Sequence, residues 1–450
     1  MIREHWSTKL GFILAAAGSA VGLGNIWRFP FVVGTNGGAV FILIYLIIVL
    51  LIGYPMMVTE SAIGRNTVKN PVGAFKALAP NTPWWLAGAL GVFTGFVILS
   101  YYSVVAGWAA SYVFKTLFGT VGAGVDFQGA FIGHITSVWA PIIWHALFMI
   151  ATVAVIASGV VKGIQRWVKI LWPVMGVLIV LLIIRAVTLP GAGAGLTFLL
   201  RPDFSQVTGT TFLDAVAQAF FTLSLGMGVF ITYGSYLKKD DEIPSSALSV
   251  LGLDTGIALL AGFIIFPAVF AMGFDPGYGA GLTFITLPAV FAEMPLGAFF
   301  GTLFFILLTV AALTSAISLL EVVTAWLVDE KGWARRQAAI VLGVIIFIVG
   351  IFPSLGYSAL GGFSFPGLGT DMLDTFDWFA NSIFLPLGGL LTALFAGYVW
   401  GVKDITKEAN LSVKPGGFAI GDWYGVLIKY IVPLAILVVM IWGIIETFAG

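Results

Sequence analysis

The chain of 450 residues has no cysteine and only three histidines, His5, His134 and His145, far apart along it. Without cysteine there is neither a disulfide framework nor a thiolate metal site. Three scattered histidines argue against a histidine-rich metal centre. Charge is nearly as scarce: 9% of the residues are Asp, Glu, Lys or Arg, against roughly 25% in a soluble globular chain. So few polar groups cannot cover a surface that faces water, and the bilayer is the solvent this composition predicts. The formal net charge is zero and there is no basic block, which leaves no electrostatic footprint for nucleic acid. No cluster of His, Cys or adjacent carboxylates forms a catalytic constellation, so an enzyme is not expected.

What is abundant is apolar length, since 60% of the residues are hydrophobic. A helix needs about 20 apolar residues to cross a bilayer. Read between polar and Gly/Pro-rich breaks, the chain predicts an all-α polytopic membrane protein with eleven transmembrane helices. They lie near 8–35, 39–64, 84–116, 138–159, 166–188, 211–237, 246–273, 297–328, 335–353, 376–401 and 423–448. The opening "MIREHWSTKL" is short and polar and runs straight into the first span without a small-residue cleavage site. That predicts no removable signal peptide. The basic residues test the span count. Arg3 and Lys9, then Arg65, Lys69 and Lys76, then Lys162, Arg166 and Lys169 fall on one side. So do Lys238 and Lys239, then Lys331, Arg335 and Arg336, and finally Lys403, Lys407 and Lys414. The positive-inside rule then expects a cytoplasmic amino terminus and an extracellular carboxyl terminus.

The first span is interrupted. "AAAGSAVGLGNIWRFP", residues 15–30, holds Gly18, Gly22 and Gly24, then Asn25 and Arg28. Glycine weakens a helix, and a charge in hydrocarbon is costly. Irregular backbone at membrane depth is tolerated only where protein or a water-filled cavity surrounds it. A second interruption falls in the sixth span, "FFTLSLGMGVFITYGSY", at Gly226 and Gly228. Paired broken helices in corresponding positions point to a transporter built on inverted repeats. An unwound helix offers carbonyl oxygens to a hard cation and amide N–H groups to a carboxylate. The bland alternative is close helix packing by small residues, which is a real competitor for Gly18 and Gly22 taken alone.

At these residues the chain resembles the neurotransmitter:sodium symporter family. The resemblance begins with "EHWSTKLGFILAAAGSAVGLGNIWRFP" and continues through "NGGAVFILIYL", "GYPMMVTESAIGR", "SYYSVVAGW", "FFTLSLGMGVFITYGSY", "GLTFITLPAVF" and "LTSAISLLEV". It covers spans 1 to 10 in order. It implies the LeuT-like 5+5 inverted repeat with discontinuous helices 1 and 6. The expected organisation is one transmembrane domain over 1–450, with repeat one about 8–188, repeat two about 211–401 and an extra helix about 423–448. The expected location is a bacterial cytoplasmic membrane.

The resemblance also implies two Na+ sites. One uses the Ala20 carbonyl with Asn25, Thr222 and Asp254, completed by the substrate carboxylate. The other uses the Gly18, Val21 and Ala311 carbonyls with the Thr314 and Ser315 hydroxyls. All are oxygen ligands, as a hard cation requires. Read without the family, Thr314 and Ser315 are hydroxyls bonding back to their own helix. The substrate carboxylate is expected at the Tyr102 hydroxyl and the Leu23 and Gly24 amides. The ammonium is expected at Ser19, Phe221 and Ser224, and the side chain against Ile98, Phe221, Met227, Ser315, Ser318 and Leu319. Gly22 stands where amine transporters of the family carry an aspartate, so the substrate brings its own carboxylate. A neutral, hydrophobic L-amino acid is predicted, alongside the lipid bilayer as the other partner. Met227 suits several side-chain shapes, although Met is also a common packing residue.

The family's gates map onto Arg28 and Asp377, with Gln218 beside the arginine, on the outside. On the inside they map onto Arg3 and Asp329, supported by Trp6 and Tyr236. Gly163 and Pro173 match a Gly-x9-Pro pattern at the start of span 5, where proline weakens the helix. Glu60 is expected to support the broken helices. Asp254 departs from the asparagine of many members, and Ala258 lacks the carboxylate that chloride-independent members often carry one turn on. Asp254 is then the expected source of negative charge, and no chloride requirement is predicted, although Tyr45 and Gln218 of the chloride neighbourhood are retained. The alternative is a proton-coupled transporter or exchanger of the same fold, and a channel or binding-only sensor is also open.

Overall fold

The computed structural model describes residues 4–274 and 281–449. Among these residues every regular element is helical. In chain order the long helices are α1 (Lys9–Ala20), α2 (Gly24–Thr35), α3 (Ala39–Thr67), α4 (Trp85–Leu117), α5 (Trp139–Ala157) and α6 (Val160–Val187). There follow α7 (Gly209–Thr222) and α8 (Val229–Gly234). The last are α9 (Ile243–Ala271), α10 (Gly297–Lys331), α11 (Arg335–Ser354), α12 (Met372–Asn410) and α13 (Trp423–Phe448). Nine of these are long and apolar enough to cross a bilayer, and α1 with α2, bent by 53°, makes up to ten. The expected sixth span is two short helices, α7 and α8, separated by residues 223–228. Neither is long enough to cross alone. The interruption is wider than the glycines suggested, because non-glycine Ser224 also takes positive φ, at 53°.

Local chemistry sets several starts. Thr8 caps α1 by accepting from the Gly11 amide at 3.0 Å. Thr208 and Thr211 cap α7 reciprocally, which satisfies amides that a helix start leaves unpaired. The helix expected from 166 begins earlier, at Val160, through a widened turn over Val160–Gln165.

α4 and α10 form the central scaffold, with 78% and 72% of their apolar stretches inside the bundle, whereas only 22% of α13 is covered. The outer helices point large apolar side chains outward: Ile150 is 65% exposed and Leu434 63%. Such a surface is at home in lipid, where backbone bonding inside each helix is the governing constraint.

A buried histidine lies off the spans. His134, on the short helix Phe127–Ile135, is buried, and its Nε2 has no hydrogen-bond partner among the described residues. Burial, with a smaller push from Lys115, takes it from the ordinary 6.5 down to about 3. It is therefore neutral when folded, and the unfolded chain binds the extra proton between those values. Its contribution to stability is full above about 6.5 and is lost as pH falls toward about 3. Melting curves of purified protein at pH 7 and pH 4.5 test this. His134→Phe is expected to lose less melting temperature on acidification than the wild type; an equal loss refutes the assignment.

Candidate functional site

The two interruptions face each other at the centre of the bundle. After α1 the chain turns extended at Val21, with φ −73 and ψ 108. The freed amides are then claimed by side chains: Gly22 N–H donates to Asn25 Oδ1 at 2.9 Å and Leu23 N–H to the Tyr102 hydroxyl at 3.2 Å. Between α7 and α8, Gly226 and Gly228 take φ of 79° and 75°, where a β-carbon is disfavoured. Gly226 N–H donates to Glu60 Oε1 at 2.8 Å, so the fully buried Glu60 holds the second interruption in place. The two interruptions are tied directly: the Ser224 hydroxyl donates to the Ser19 carbonyl at 3.1 Å.

A small cavity lies between them. From the first interruption it is lined by Ser19, Ala20, Gly22, Leu23 and Gly24, and from α4 by Ile98 and Tyr102. Phe221, Thr222, Ser224 and Met227 line it from the second interruption, and Ser315 and Leu319 from α10. Every residue expected to hold substrate is there except Ser318. Its hydroxyl stands behind Ser19, 2.6 Å from the Ser19 hydroxyl. A β-carbon at Gly22 would lie 2.4 Å from Ser315 Oγ and 2.7 Å from the Tyr102 hydroxyl. No side chain, an aspartate included, fits there without displacing both. Polar groups therefore come from unwound backbone, Tyr102 and serines, and the apolar wall from Ile98, Phe221, Met227 and Leu319.

Two clusters of oxygen flank the cavity. In the first, Asp254 is fully buried. Its carboxylate accepts from Asn25 Nδ2 at 2.7 Å and from the Thr222 hydroxyl at 3.2 Å. Among the described residues no Lys, Arg or His pairs with it. An isolated buried carboxylate is costly, and a cation held by oxygen ligands cancels that cost. Ala20, whose carbonyl was expected here, lines the adjoining cavity. In the second cluster the Ser315 hydroxyl is 2.9 Å from the Ser19 carbonyl, 3.1 Å from Val21 O and 3.5 Å from Gly18 O. The Thr314 hydroxyl is 2.8 Å from Ala311 O and 3.3 Å from Val21 O. A hydroxyl has one proton, so acceptors outnumber donors, which suits a hard cation. The contact to Ala311 is the ordinary back-bond; those to Val21 reach across to another helix. Gly18 also packs closely, since a β-carbon there would lie 3.3 Å from Thr314 and 3.4 Å from Trp172 Nε1.

Above the cavity Tyr102 and Phe221 separate it from a vestibule of about 250 Å³. Arg28 and Asp377 both line that vestibule but are not joined as an ion pair. Arg28 lies over the Phe221 ring at 4.9 Å, and Asp377 accepts from Asn381 Nδ2 at 2.7 Å. The outer pair expected from the sequence is thus apart, with open space beside it. Gln218 Nε2 donates to the Gly24 carbonyl at 3.3 Å. Its oxygen and the Tyr45 hydroxyl are buried without a hydrogen-bond partner among the described residues. On the opposite side Trp6 is fully buried against Tyr233 and Tyr236, and its Nε1 donates to Tyr233 O at 3.0 Å. Asp329 accepts from the Asn70 amide at 2.9 Å. It lines a second vestibule of about 370 Å³ with Tyr236. Arg3 lies outside the described residues.

With this geometry in view, the comparisons decide the family. The sodium:neurotransmitter symporter family model matches residues 3–122 and 132–449. The chain belongs to that family. It is 39% identical over 439 residues to the uncharacterised sodium-dependent transporter YhdH of Bacillus subtilis (strain 168), covering 97% of both chains. It is 36% identical over 456 residues to an uncharacterised sodium-dependent transporter of Haemophilus influenzae, covering 98% of both. Among solved structures it is similar to MhsT in complex with L-phenylalanine, with 49% identity and a TM-score of 0.89 over 98% of this chain and 100% of that one. The protein is therefore a membrane transporter with a LeuT-like fold rather than an enzyme, and sodium is the ion of its family.

Several residues that brace the site had not been singled out in the sequence. Glu321, fully buried in α10, pairs with Arg335, and Tyr236 donates to its other oxygen at 2.5 Å. A carboxylate inside a span was the available signal, because an intramembrane charge is a functional hypothesis by default. Trp172 was also passed over. Its Nε1 donates to the Leu14 carbonyl at 2.8 Å, fastening α6 to α1 beside Gly18. Gln165 accepts from the Ser7 amide at 3.0 Å and adds a second fastening. An apolar run rich in aromatics carries no mark that singles out one tryptophan.

Proposed function

We propose that this protein is a sodium-coupled symporter that imports neutral, hydrophobic L-amino acids by alternating access. The observation that carries the reading is the cavity between the two helix interruptions. It offers hydrogen-bonding backbone, Tyr102 and serines to a zwitterion and an apolar wall to a side chain, and Gly22 leaves no room for a protein carboxylate. A substrate that bears its own carboxylate fits such a site. The bound L-phenylalanine of MhsT supports the same class.

In this reading the substrate carboxylate lies at the Tyr102 hydroxyl and the Leu23 and Gly24 amides. The ammonium lies at Ser19, Phe221 and Ser224. One sodium is held by Ala20, Asn25, Thr222 and Asp254, and a second by Gly18, Val21, Ala311, Thr314 and Ser315. Asp254 supplies the negative charge that makes chloride unnecessary. Arg28, Asp377 and Gln218 close the outside, and Arg3, Asp329, Trp6 and Tyr236 close the inside. The separation of Arg28 from Asp377, with Trp6 buried, fits a state open toward the outer vestibule.

The organisation proposed with it is one transmembrane domain of eleven spans. α7 and α8 together make the crossing that neither makes alone. The halves at about 8–188 and 211–401 form the 5+5 inverted repeat, and α13 is the extra helix. The amino terminus is cytoplasmic and the carboxyl terminus extracellular, in a bacterial cytoplasmic membrane, as the loop charges favour. Equilibrium binding of labelled Leu, Phe, Trp, Ala and Gly to purified protein, in sodium and in potassium, tests the function. Hydrophobic amino acids are expected to bind in sodium only. Binding indifferent to sodium overturns the ion assignment and favours a proton-coupled or exchange mechanism.

A further inference from the structure

A groove of about 680 Å³ runs along the outside of the bundle between α5 and α11. It shares no residue with the substrate cavity or either vestibule. α5 contributes Ala146, Ile150 and Ala154, spaced four apart and so on one face, with Ser158 just past its end. α11 contributes a matching stripe from Arg336 through Ile340 and Val344 to Phe347. Small side chains form the recess, while Ile150, 65% exposed, and Val344, 51% exposed, form rims that face outward. At a rise of about 1.5 Å per residue the α11 stripe is about 16 Å long. That is close to half of the hydrocarbon thickness of about 30 Å. The groove is thus long enough to hold an acyl chain through one leaflet.

Its polar end is asymmetric in charge. Arg335 is committed inward: its Nε donates to the Ile156 carbonyl of α5 at 3.0 Å, and it pairs with buried Glu321. This fastening sets the start of α11 against α5 and leaves the next residue, Arg336, exposed at the mouth of the groove. Among the described residues Arg336 has no hydrogen bond or ion pair, and no acidic side chain lines the groove. An unpaired cation at the polar end of a leaflet-length apolar recess complements an anionic headgroup above an acyl chain.

We propose that the groove binds one anionic glycerophospholipid, with an acyl chain between α5 and α11 and its phosphate on Arg336. A free phosphate leaves the apolar recess unused. A zwitterionic lipid fills the recess but leaves the arginine charge uncompensated. The site does not depend on the transport reading; only its leaflet, the cytoplasmic one, rests on the orientation proposed above.

Native mass spectrometry of the full chain, titrated with phosphatidylglycerol and phosphatidylcholine of matched chains, tests it. One phosphatidylglycerol is expected to bind about fivefold more tightly than phosphatidylcholine, the preference that a single interfacial cation confers. Arg336→Gln is expected to erase that preference. Ala154→Phe, which fills the recess from an exposed position, is expected to weaken both adducts. Melting temperatures close to wild type establish that both variants are folded. The proposal is overturned by equal affinity for the two lipids in the wild type, or by a preference that survives Arg336→Gln. It is also overturned by adducts unchanged in Ala154→Phe, or by a dimer of this chain that Ala154→Phe dissociates, which makes the groove a protein contact.

Discussion

Asp254→Ala is expected to lower the apparent sodium affinity about 100-fold or more, with sodium-dependent amino-acid binding lost at ordinary sodium concentrations. Asp254 is fully buried, and its hydrogen bonds come from neutral Asn25 and Thr222. Removing one partner of a buried charge pair costs about 3–5 kcal/mol, and each 1.4 kcal/mol is about tenfold in affinity. Asp254→Asn separates shape from charge, because the side chain keeps its size and an oxygen ligand. Its expected result is a milder loss of sodium affinity together with stimulation of uptake by chloride. The Tyr45 hydroxyl, buried without a hydrogen-bond partner among the described residues, is the donor this expectation assigns to the anion. Wild-type uptake is expected to be unchanged when chloride is replaced by gluconate. A wild-type rate that collapses in gluconate removes the charge-supplying role from Asp254. Sodium affinity unchanged in Asp254→Ala removes it from the ion site.

Gly22→Ala is expected to abolish amino-acid binding while leaving the protein folded. The added carbon would sit 2.4 Å from Ser315 Oγ and 2.7 Å from the Tyr102 hydroxyl, so both must shift. Overpacking costs about 1–3 kcal/mol. Moving the tyrosine hydroxyl off the substrate carboxylate forfeits a charged hydrogen bond worth about 1.5–3 kcal/mol. The lost hydrogen bond alone is a loss of about tenfold to a hundredfold, and the displaced Ser315 and Tyr102 narrow the cavity further. Calorimetric titration of the preferred amino acid measures the loss, and the melting temperature without substrate reports the fold. Near-normal affinity would place the substrate elsewhere, the outer vestibule being the next space along the path. A variant that does not fold is replaced by Tyr102→Phe, which removes the hydroxyl alone and is expected to cost about tenfold or more by the same hydrogen bond.

The two helix interruptions were legible in the sequence. Gly226 and Gly228 announced the second interruption because positive φ is costly for other residues, and both have it. Asn25, Thr222, Thr314 and Ser315 were singled out as ligands only by the family resemblance; read alone, Thr314 and Ser315 are hydroxyls that bond back to their own helix. The extent of the second interruption was not legible, because Ser224 is held at positive φ by bonds to Ser19 on another helix. Nor was the separation of Arg28 from Asp377, since the same two side chains can stand paired or apart.

The sequence by itself determined that this is a polytopic membrane protein with two broken helices. It also determined that polar oxygen and small residues concentrate at those breaks. Apolar length, glycine and a lone charge act within one or two turns of helix, so a short stretch carries the whole signal. Only the tertiary structure decided which oxygens meet. It set Ser318 behind Ser19 rather than in the cavity, paired Glu321 with Arg335 and Tyr236, and laid Ala154 beside Arg336 along one groove. The helices involved in the first of these contacts are nearly 300 residues apart in the chain, with |i−j| of 299 for Ser19 and Ser318. In lipid every helix satisfies its own backbone, so the choice of neighbour is left to side-chain packing. That packing is a property of pairs of helices and is written in neither one alone.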